Sequence, residues 1–486
     1  MRRSLNLPRS NSPRILKILL AFLLIFAYFL LLSFDGLRAF FTSDDGMNLI
    51  MMHGCFTESI WRVVVSALAV CTSAYRPMGG LFYRVVYGFF HFDPLPFRVA
   101  CYWILTFNLA LVGLLLRCLS ESWEIAAFGL LLFSYHGMLM QLYYNTGTIY
   151  DLLCGTFYFI ALLYYVYKRN CQSSFRFWQV VLLLGLYSCA LDSKEMAASF
   201  PFVLLAYEFV YEGFPRQWSS VVWERFRAIT WVSILTLAFT LFKLLLPSQM
   251  VGNELYRPSL SPHLILHNLS WYYNLLIYQR YFFGPHTILL VVILMLLVSW
   301  LLHSRAMVFG LVFALVTMLP VLIVPPRDGF VLYLPLVGWS VWAAVLLASA
   351  RVHLTRWLGL QNSSRTRTIA QALSLLALIM LLYPIHQRKR NDLRFAIRIE
   401  QSEMHDLLDQ MRRLFPAIPR GSRILFVDDP FRSEDWGLSF LLRLQYNDPG
   451  LSVARTKVLL NNRVQPGQQF QYVFSYRGGV LSALPH

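Results

Sequence analysis

Apolar stretches of about twenty residues, separated by short polar breaks, recur along the chain from residue 15 to residue 385. Each is long enough to cross a hydrocarbon layer of about 30 Å, and a backbone in lipid must satisfy its own hydrogen bonds, so these stretches predict helices. Nothing in the pattern reads as the alternating strands of a membrane barrel. We place about eleven spans, near 15–34, 97–117, 123–143, 148–167, 177–193, 196–212, 228–247, 286–302, 306–325, 331–350 and 368–385. An odd number puts the two termini on opposite sides of the membrane. Beyond 385 the pattern changes. Leu393, Ile397, Met404, Leu407, Leu408, Met411 and Leu414 keep helical spacing, then Arg423–Val427 and Gln471–Phe474 read as strands. The expected architecture is an α-helical polytopic membrane domain over 1–385, with a long first outside loop at 35–96, followed by a small extracytoplasmic α/β domain over 386–486.

Composition agrees with this pattern: of 486 residues 57% are hydrophobic and 14% charged, too apolar for an ordinary soluble surface. Orientation follows from Lys and Arg near span ends, which are retained in the cytoplasm. Arg2, Arg3, Arg9, Arg14 and Lys17 precede the first span; Arg117, Lys168, Arg169, Arg176, Arg216, Arg225, Arg227, Arg305, Arg351, Arg356, Arg365 and Arg367 fall on the same side. The N-terminus is expected inside and the C-terminus outside. The formal charge of +17 then reflects topology and attraction to anionic lipid, and nucleic acid is not an expected partner. The first span lacks a convincing small-residue cleavage site and is read as retained. Cys101, Cys118, Cys154 and Cys189 lie in or beside apolar runs and read as packing; Cys55 and Cys71 share the first outside loop, where a disulfide or two free thiols are both open.

Candidate chemistry sits on the outside. The loop 35–96 is too long for a connector, and its apolar stretches Ile60–Ala69 and Leu81–Phe90 suggest helices at the interface. It also holds Asp44 and Asp45, next to one another just beyond the first span. Adjacent carboxylates repel, so one is pushed toward the raised pKa that suits a general base, and a pair can also hold a divalent cation; an acidic turn is the plain reading. Arg76 and Arg84 lie where the charge bias disfavours arginine, and a guanidinium fork suits phosphate or carboxylate, although snorkelling to lipid headgroups gives the same pattern. Asp151 opens the span at 148–167, as a cap or a site residue, and Lys194–Glu195 join two spans, as a turn or a site. The aromatics Trp271, Tyr272, Tyr273, Tyr278 and Tyr281 read first as an interfacial belt, with sugar stacking as the alternative. Arg327 follows a Pro-Pro turn and precedes Tyr333-Leu334-Pro335.

In this order the segments resemble the GT-C superfamily of glycosyltransferases, within it the tetratricopeptide-repeat transmembrane O-mannosyltransferases and their bacterial relatives. The resemblance is carried by the acidic pair Asp44-Asp45, Tyr75-Arg76-Pro77 with Phe82-Tyr83-Arg84, Asp151-Leu152-Leu153, Lys194-Glu195, and Arg327 with Tyr333-Leu334-Pro335, over residues 15–350. Two departures stand out: no repeats follow the membrane part, and Thr148-Ile149-Tyr150 replaces the Gly-Arg-Ala that relatives carry before Asp-Leu-Leu. The resemblance implies a GT-C-like enzyme that takes a sugar from a polyprenyl-phosphate donor and delivers it, with inversion, to a hydroxyl acceptor on a protein, lipid or glycan. Asp44 and Asp45 would be catalytic, with a divalent cation as a candidate ligand of the pair, and Arg76, Arg84, Asp151, Lys194, Glu195, Arg327 and Tyr333 would bind substrate. A transporter or flippase of a lipid-linked saccharide is the competing reading, but it predicts polar groups at the midplane and internal repeats. A bacterial inner membrane is the expected location, and an endoplasmic reticulum protein would look similar.

Overall fold

The computed structural model describes residues 12–485 apart from 70–71, 172–174, 215–219, 246–256, 280, 360–362, 434 and 462–469. Arg2, Arg3, Arg9, Cys71, Arg216 and Arg280 lie outside the described residues, so the Cys55–Cys71 pairing does too. Each predicted span coincides largely with helix among the described residues. In chain order the helices of the first half are α1 (Ser12–Ser33), α2 (Ser43–Met47), α3 (Ile60–Leu68), α4 (Pro77–Phe90), α5 (Pro94–Ser120), α6 (Trp123–Ser134), α7 (Gln141–Tyr144), α8 (Ile149–Asn170) and α9 (Phe177–Ser193). The second half of the membrane part holds α10 (Phe200–Tyr207), α11 (Ser220–Leu245), α12 (Pro262–Leu276), α13 (Thr287–Leu301), α14 (Arg305–Leu322), α15 (Tyr333–Trp357) and α16 (Ser364–Leu414). Among the described residues seven helical stretches, those built on α1, α5, α8, α11, α14, α15 and α16, are long and apolar enough to cross a membrane, and α6, α9 and α13 are shorter apolar helices. The chain is an integral membrane protein.

Local chemistry sets the helix starts. The Asp93 carboxylate accepts from the Leu95 amide at 3.0 Å ahead of α5, and the Ser122, Ser304 and Ser363 hydroxyls accept likewise ahead of α6, α14 and α16, each satisfying a donor that has no partner inside its helix. Two expected spans differ in form. The one at 123–143 stops at Ser134 and continues as a 3-10 turn, Gly137–Leu139, and α7. This broken backbone is tolerated at depth because protein covers it: the His136 amide donates to the Tyr143 hydroxyl and the Gly137 amide to the Tyr278 hydroxyl, both at 3.1 Å. The one at 196–212 is a 3-10 turn (Glu195–Ser199), α10 and a π-helical turn (Glu208–Glu212) in succession.

On the side where basic residues collect, some are paired rather than left to lipid. Glu208 is fully buried; its carboxylate accepts from Arg169 and from the Tyr165 hydroxyl, each at 2.7 Å, and from Arg225, joining α8 and α11 to the π turn. Glu124 receives Arg351 at 2.6 Å and Gln371 at 2.8 Å, tying α6 to α15 and α16. The aromatic segment after α11 is largely core instead of an interfacial belt: Tyr272 and Tyr273 are buried in α12, and Tyr278 stacks on His136 with centroids 4.3 Å apart, while Tyr281 stays exposed.

The α/β part holds β1 (Arg423–Asp428), α17 (Gly437–Gln445), β2 (Ser452–Arg455), α18 (Thr456–Asn461), β3 (Tyr472–Arg477) and β4 (Val480–Ala483). Its sheet has the order β2-β1-β3-β4; β1 runs parallel to β2 and β3, and β4 runs antiparallel to β3. No loop separates it from the membrane part. The 51-residue α16 passes through position 386 unbroken, with Pro384 in its interior.

The Glu208 network supplies a stability test. Glu208→Ala leaves two guanidinium groups facing a buried gap and should destabilise the protein by about 3–5 kcal/mol, read as a lower unfolding temperature in detergent. Arg413→Ala, which removes an exposed ion pair with Asp409, should leave that temperature unchanged.

Candidate functional site

The acidic pair sits on α2, a single turn that the sequence starts itself. The Thr42 amide donates to Asp45 Oδ2 at 2.9 Å and the Thr42 hydroxyl lies 3.1 Å from the same oxygen, a reciprocal cap that fixes Asp45 inward. The Tyr83 hydroxyl of α4 donates to Asp45 Oδ1 at 2.8 Å, and Asp45 has no accessible surface. Burial lifts the Asp45 pKa above the ordinary carboxylate range against the opposing pull of Arg98, the Thr42 amide and the Tyr83 hydroxyl. Each of these contacts serves the ionised form. Asp44, one residue earlier, points the other way and remains exposed, with Asn145 Nδ2 3.4 Å from its Oδ2. Its pKa is also raised, first by the protein around it and then by the charges of Asp435 and Asp328, against the Asn145 hydrogen bond.

A chain of donors leads away from Asp45. Asn48 Nδ2 lies 3.3 Å from the Tyr83 hydroxyl, the Tyr150 hydroxyl donates to Asn48 Oδ1 at 2.8 Å, and His53 Nε2 lies 2.8 Å from the Tyr150 oxygen. Tyr150 has one proton and gives it to Asn48, so His53 must donate from Nε2. Burial, then the nearby Arg84 and Arg76 charges, push the His53 pKa down to about 3, which keeps the ring neutral. The Tyr150 ring also stands against Arg76, whose guanidinium carbon is 5.2 Å from the ring centroid.

Tyr150 thereby joins the acid turn to a cluster of opposite charges. Arg76 Nη2 lies 2.7 Å from Glu195 Oε2, and Arg76 Nε lies 3.2 Å from the same oxygen. Burial alone would raise the Glu195 pKa, but the Arg76 guanidinium outweighs it and holds the group at about 2, so Glu195 is ionised. Half of the Glu195 side chain is accessible, against 14% for Arg76. Arg76 Nη1 has no hydrogen bond among the described residues. Arg76 itself has φ of +41°, a strained value for a non-glycine residue, held where Pro77 opens α4. Beside it Lys194 Nζ meets Asp151 Oδ1 at 2.6 Å, both buried, and Lys194 Nζ also sits 4.8 Å from the Phe330 ring centroid. Phe330 brings the turn with Arg327 and Asp328 to the cluster. The Arg327 amide donates to the Tyr272 hydroxyl at 3.1 Å.

Asp44, Asp45, Arg76, Asp151, Lys194 and Glu195 are thus assembled around Tyr150, with Arg327 on the adjoining turn. Two expected site residues point elsewhere. Arg84 donates to the backbone carbonyls of Cys55 at 2.5 Å and Glu58 at 2.6 Å, which folds the loop before α3. Tyr333 packs its ring among Phe133, Phe159 and Gly155 inside the bundle. Tyr83, Asn48, His53, Tyr150 and Asn145 were not singled out from sequence, since polar aromatics and amides are common at membrane boundaries. Arg98 carried a legible signal, a charge inside the apolar run 97–117. It is buried, and it donates to the carbonyls of Ala39, Phe40 and Tyr144, stapling the chain before the acid turn to the chain before Asn145.

The pair does not fit a shared cation: both Asp45 oxygens are engaged by Thr42 and Tyr83, and the described residues hold no group of three or more His, Cys, Asp or Glu side chains suited to a metal. A cavity of about 800 Å³ opens between the segment that follows α1 and α16, lined among others by Asp35, Phe40, Tyr144, Gln401 and His405. It contains none of the expected site residues and lies behind the Tyr144–Asn145 strip that touches Asp44.

Comparison with known proteins adds one finding. No family model matches the chain, and no curated protein matches it. The crystal structure of ArnT from Cupriavidus metallidurans, bound to undecaprenyl phosphate, is similar with a TM-score of 0.49 and 13% identity, covering 96% of this chain and 94% of that one.

Proposed function

We propose that the protein is a GT-C-type glycosyltransferase that moves a sugar from a polyprenyl-phosphate donor to a hydroxyl acceptor on the extracytoplasmic face of the membrane, the N-terminus inside and the C-terminus outside. The observation that carries this reading is the division of labour in the acidic pair: Asp45 is locked and inaccessible, and Asp44 is exposed with a raised pKa near Tyr150, whose ring also meets Arg76 of the paired-charge cluster. The ordered sequence motifs supply the donor class.

Asp44 takes the proton of the acceptor hydroxyl as its oxygen bonds to the anomeric carbon. The bond from that carbon to the phosphate oxygen breaks on the opposite face, so the sugar is inverted and the polyprenyl phosphate leaves with the electron pair. Arg76, through its open Nη1, and Lys194 meet the charge that grows on the departing phosphate. Asp151 and Glu195 keep those cations in place, and Arg327 closes the pocket from its turn. Asp45 positions α2, Arg84 holds the outside loop and Tyr333 supports the wall, so these three act without touching the reacting atoms. No step runs through a metal. A bacterial inner membrane suits the compact loops, and whether the acceptor is a protein, a lipid or a glycan depends on pocket shape.

The direct test measures sugar release from radiolabelled polyprenyl-phosphate sugars by the purified protein with candidate acceptors. Asp44→Asn should lower turnover by about 10²–10⁴-fold, the usual contribution of a general base. Wild type that binds the donor and never cleaves it would instead establish a transporter. EDTA should leave wild-type turnover unchanged, and a requirement for added cation would overturn the metal-free scheme. Lys194→Ala should cost both stability and turnover, because it strands the buried Asp151. Adding Asp151→Asn should restore the unfolding temperature without restoring turnover, which separates the ion pair's structural contribution from the chemistry of Lys194.

A further inference from the structure

The α/β domain does not stand apart from the acid turn; α17 packs directly on α2. The Ser43 hydroxyl donates to Asp435 Oδ1 at 2.6 Å, and the same oxygen takes the Gly437 amide at 2.8 Å, so one carboxylate holds both the start of α17 and the residue before Asp44. Approach is close enough to require glycine on each side. A Cβ on Gly437 would lie 2.3 Å from Ser43 Oγ and 2.8 Å from Ser43 Cβ, and a Cβ on Gly46 would lie 2.8 Å from Phe440 Cβ.

Behind this contact the domain is rigid. Leu438, Leu441 and Leu442 of α17 are fully buried, as are Ile424 and Phe426 of β1. The Asp435 carbonyl accepts from Arg455, whose guanidinium is itself fixed by Asp429, buried with it, through Nη2 at 2.5 Å and Nε at 3.0 Å. At its other end α17 is tied to α16: Gln445 donates to the Leu408 carbonyl at 2.9 Å and the Tyr446 hydroxyl to the Phe415 carbonyl at 2.8 Å. The unbroken α16 then returns the connection to the membrane bundle. A five-residue turn of one helix has little stability alone. Here Thr42 and Tyr83 hold its buried side, and the α/β domain holds its other side.

We propose that the α/β domain belongs to the transfer machinery as the seat of the acid turn, with Asp435 as a positioning residue acting on Asp44 through Ser43 and Gly437 allowing the contact. The seating stands on geometry, while its consequence for rate rests on Asp44 being the base.

Hydrogen exchange on the full-length protein tests the seating. Gly437→Val and Asp435→Ala should each speed exchange across residues 43–52 while leaving β1 and β3 protected, which shows that the domain itself stays folded. Under the transfer assay Asp435→Ala should lower kcat by up to about 100-fold, the size of effect that a misplacement of about 1 Å can have, with the donor KM unchanged. Asp435→Asn, which keeps an oxygen for Ser43, should recover most of the rate, and Ser43→Ala combined with Asp435→Ala should be no slower than Asp435→Ala alone. Unchanged exchange at 43–52 in both variants overturns the seating. Faster exchange with unchanged kcat overturns the positioning role. If wild type turns over no donor, the glycosyltransferase reading fails and the exchange result alone decides whether the domain seats the turn.

Discussion

A charge taken out of water persists only with a partner, and at the Tyr150 end of this bundle that requirement shapes everything around it. Asp151 and Lys194 neutralise one another 2.6 Å apart, and Arg76 and Glu195 do the same at 2.7 Å. Each pair ties segments that are distant in the chain: the start of α8 to the end of α9, and the start of α4 to the turn before α10. The pairs therefore hold the helices in register while keeping two cations, Arg76 and Lys194, next to one another. The side with most of the basic residues uses the same device at Glu208, which engages Arg169 and Arg225, and at Glu124, which engages Arg351. The two ends differ in what is left over. Around Tyr150, Asp44 stays exposed and Arg76 Nη1 has no hydrogen bond among the described residues.

Two adjacent carboxylates can share a task or divide it. Here the cap at Thr42 and the Tyr83 hydroxyl draw Asp45 into the protein, and the turn geometry then sends Asp44 the opposite way. Mutual repulsion is relieved by that separation, and Asp44 keeps an environment that lifts its pKa without burying its oxygens. The arrangement depends on α2 holding its pose. Arg98, Asn145 and the α/β domain approach it from three directions, so a turn too short to be stable by itself is fixed by tertiary contacts.

The positions of the helices and the presence of an α/β tail were legible in the sequence because each depends on local quantities: the length of an apolar run and the period of its apolar positions. Asp44, Arg76, Asp151 and Lys194 could be singled out for the same reason, since a charge near a span end is conspicuous whatever it touches. Partnership was not legible. Arg84 and Arg76 look alike in sequence, yet one folds a loop through carbonyl contacts and the other faces an acid 119 residues away. Tyr333 stood out for its motif, and its ring packs against Phe133 and Phe159; Tyr150, beside Asp151, joins the acid turn to Arg76. The apparent boundary at 386 is a change of environment along one helix, since α16 keeps its backbone hydrogen bonds whether lipid or water surrounds it. That α17 would close on Ser43 and Gly46 was hidden as well: periodicity shows that a helix has an apolar face, and only the folded chain decides which surface that face and its glycine meet.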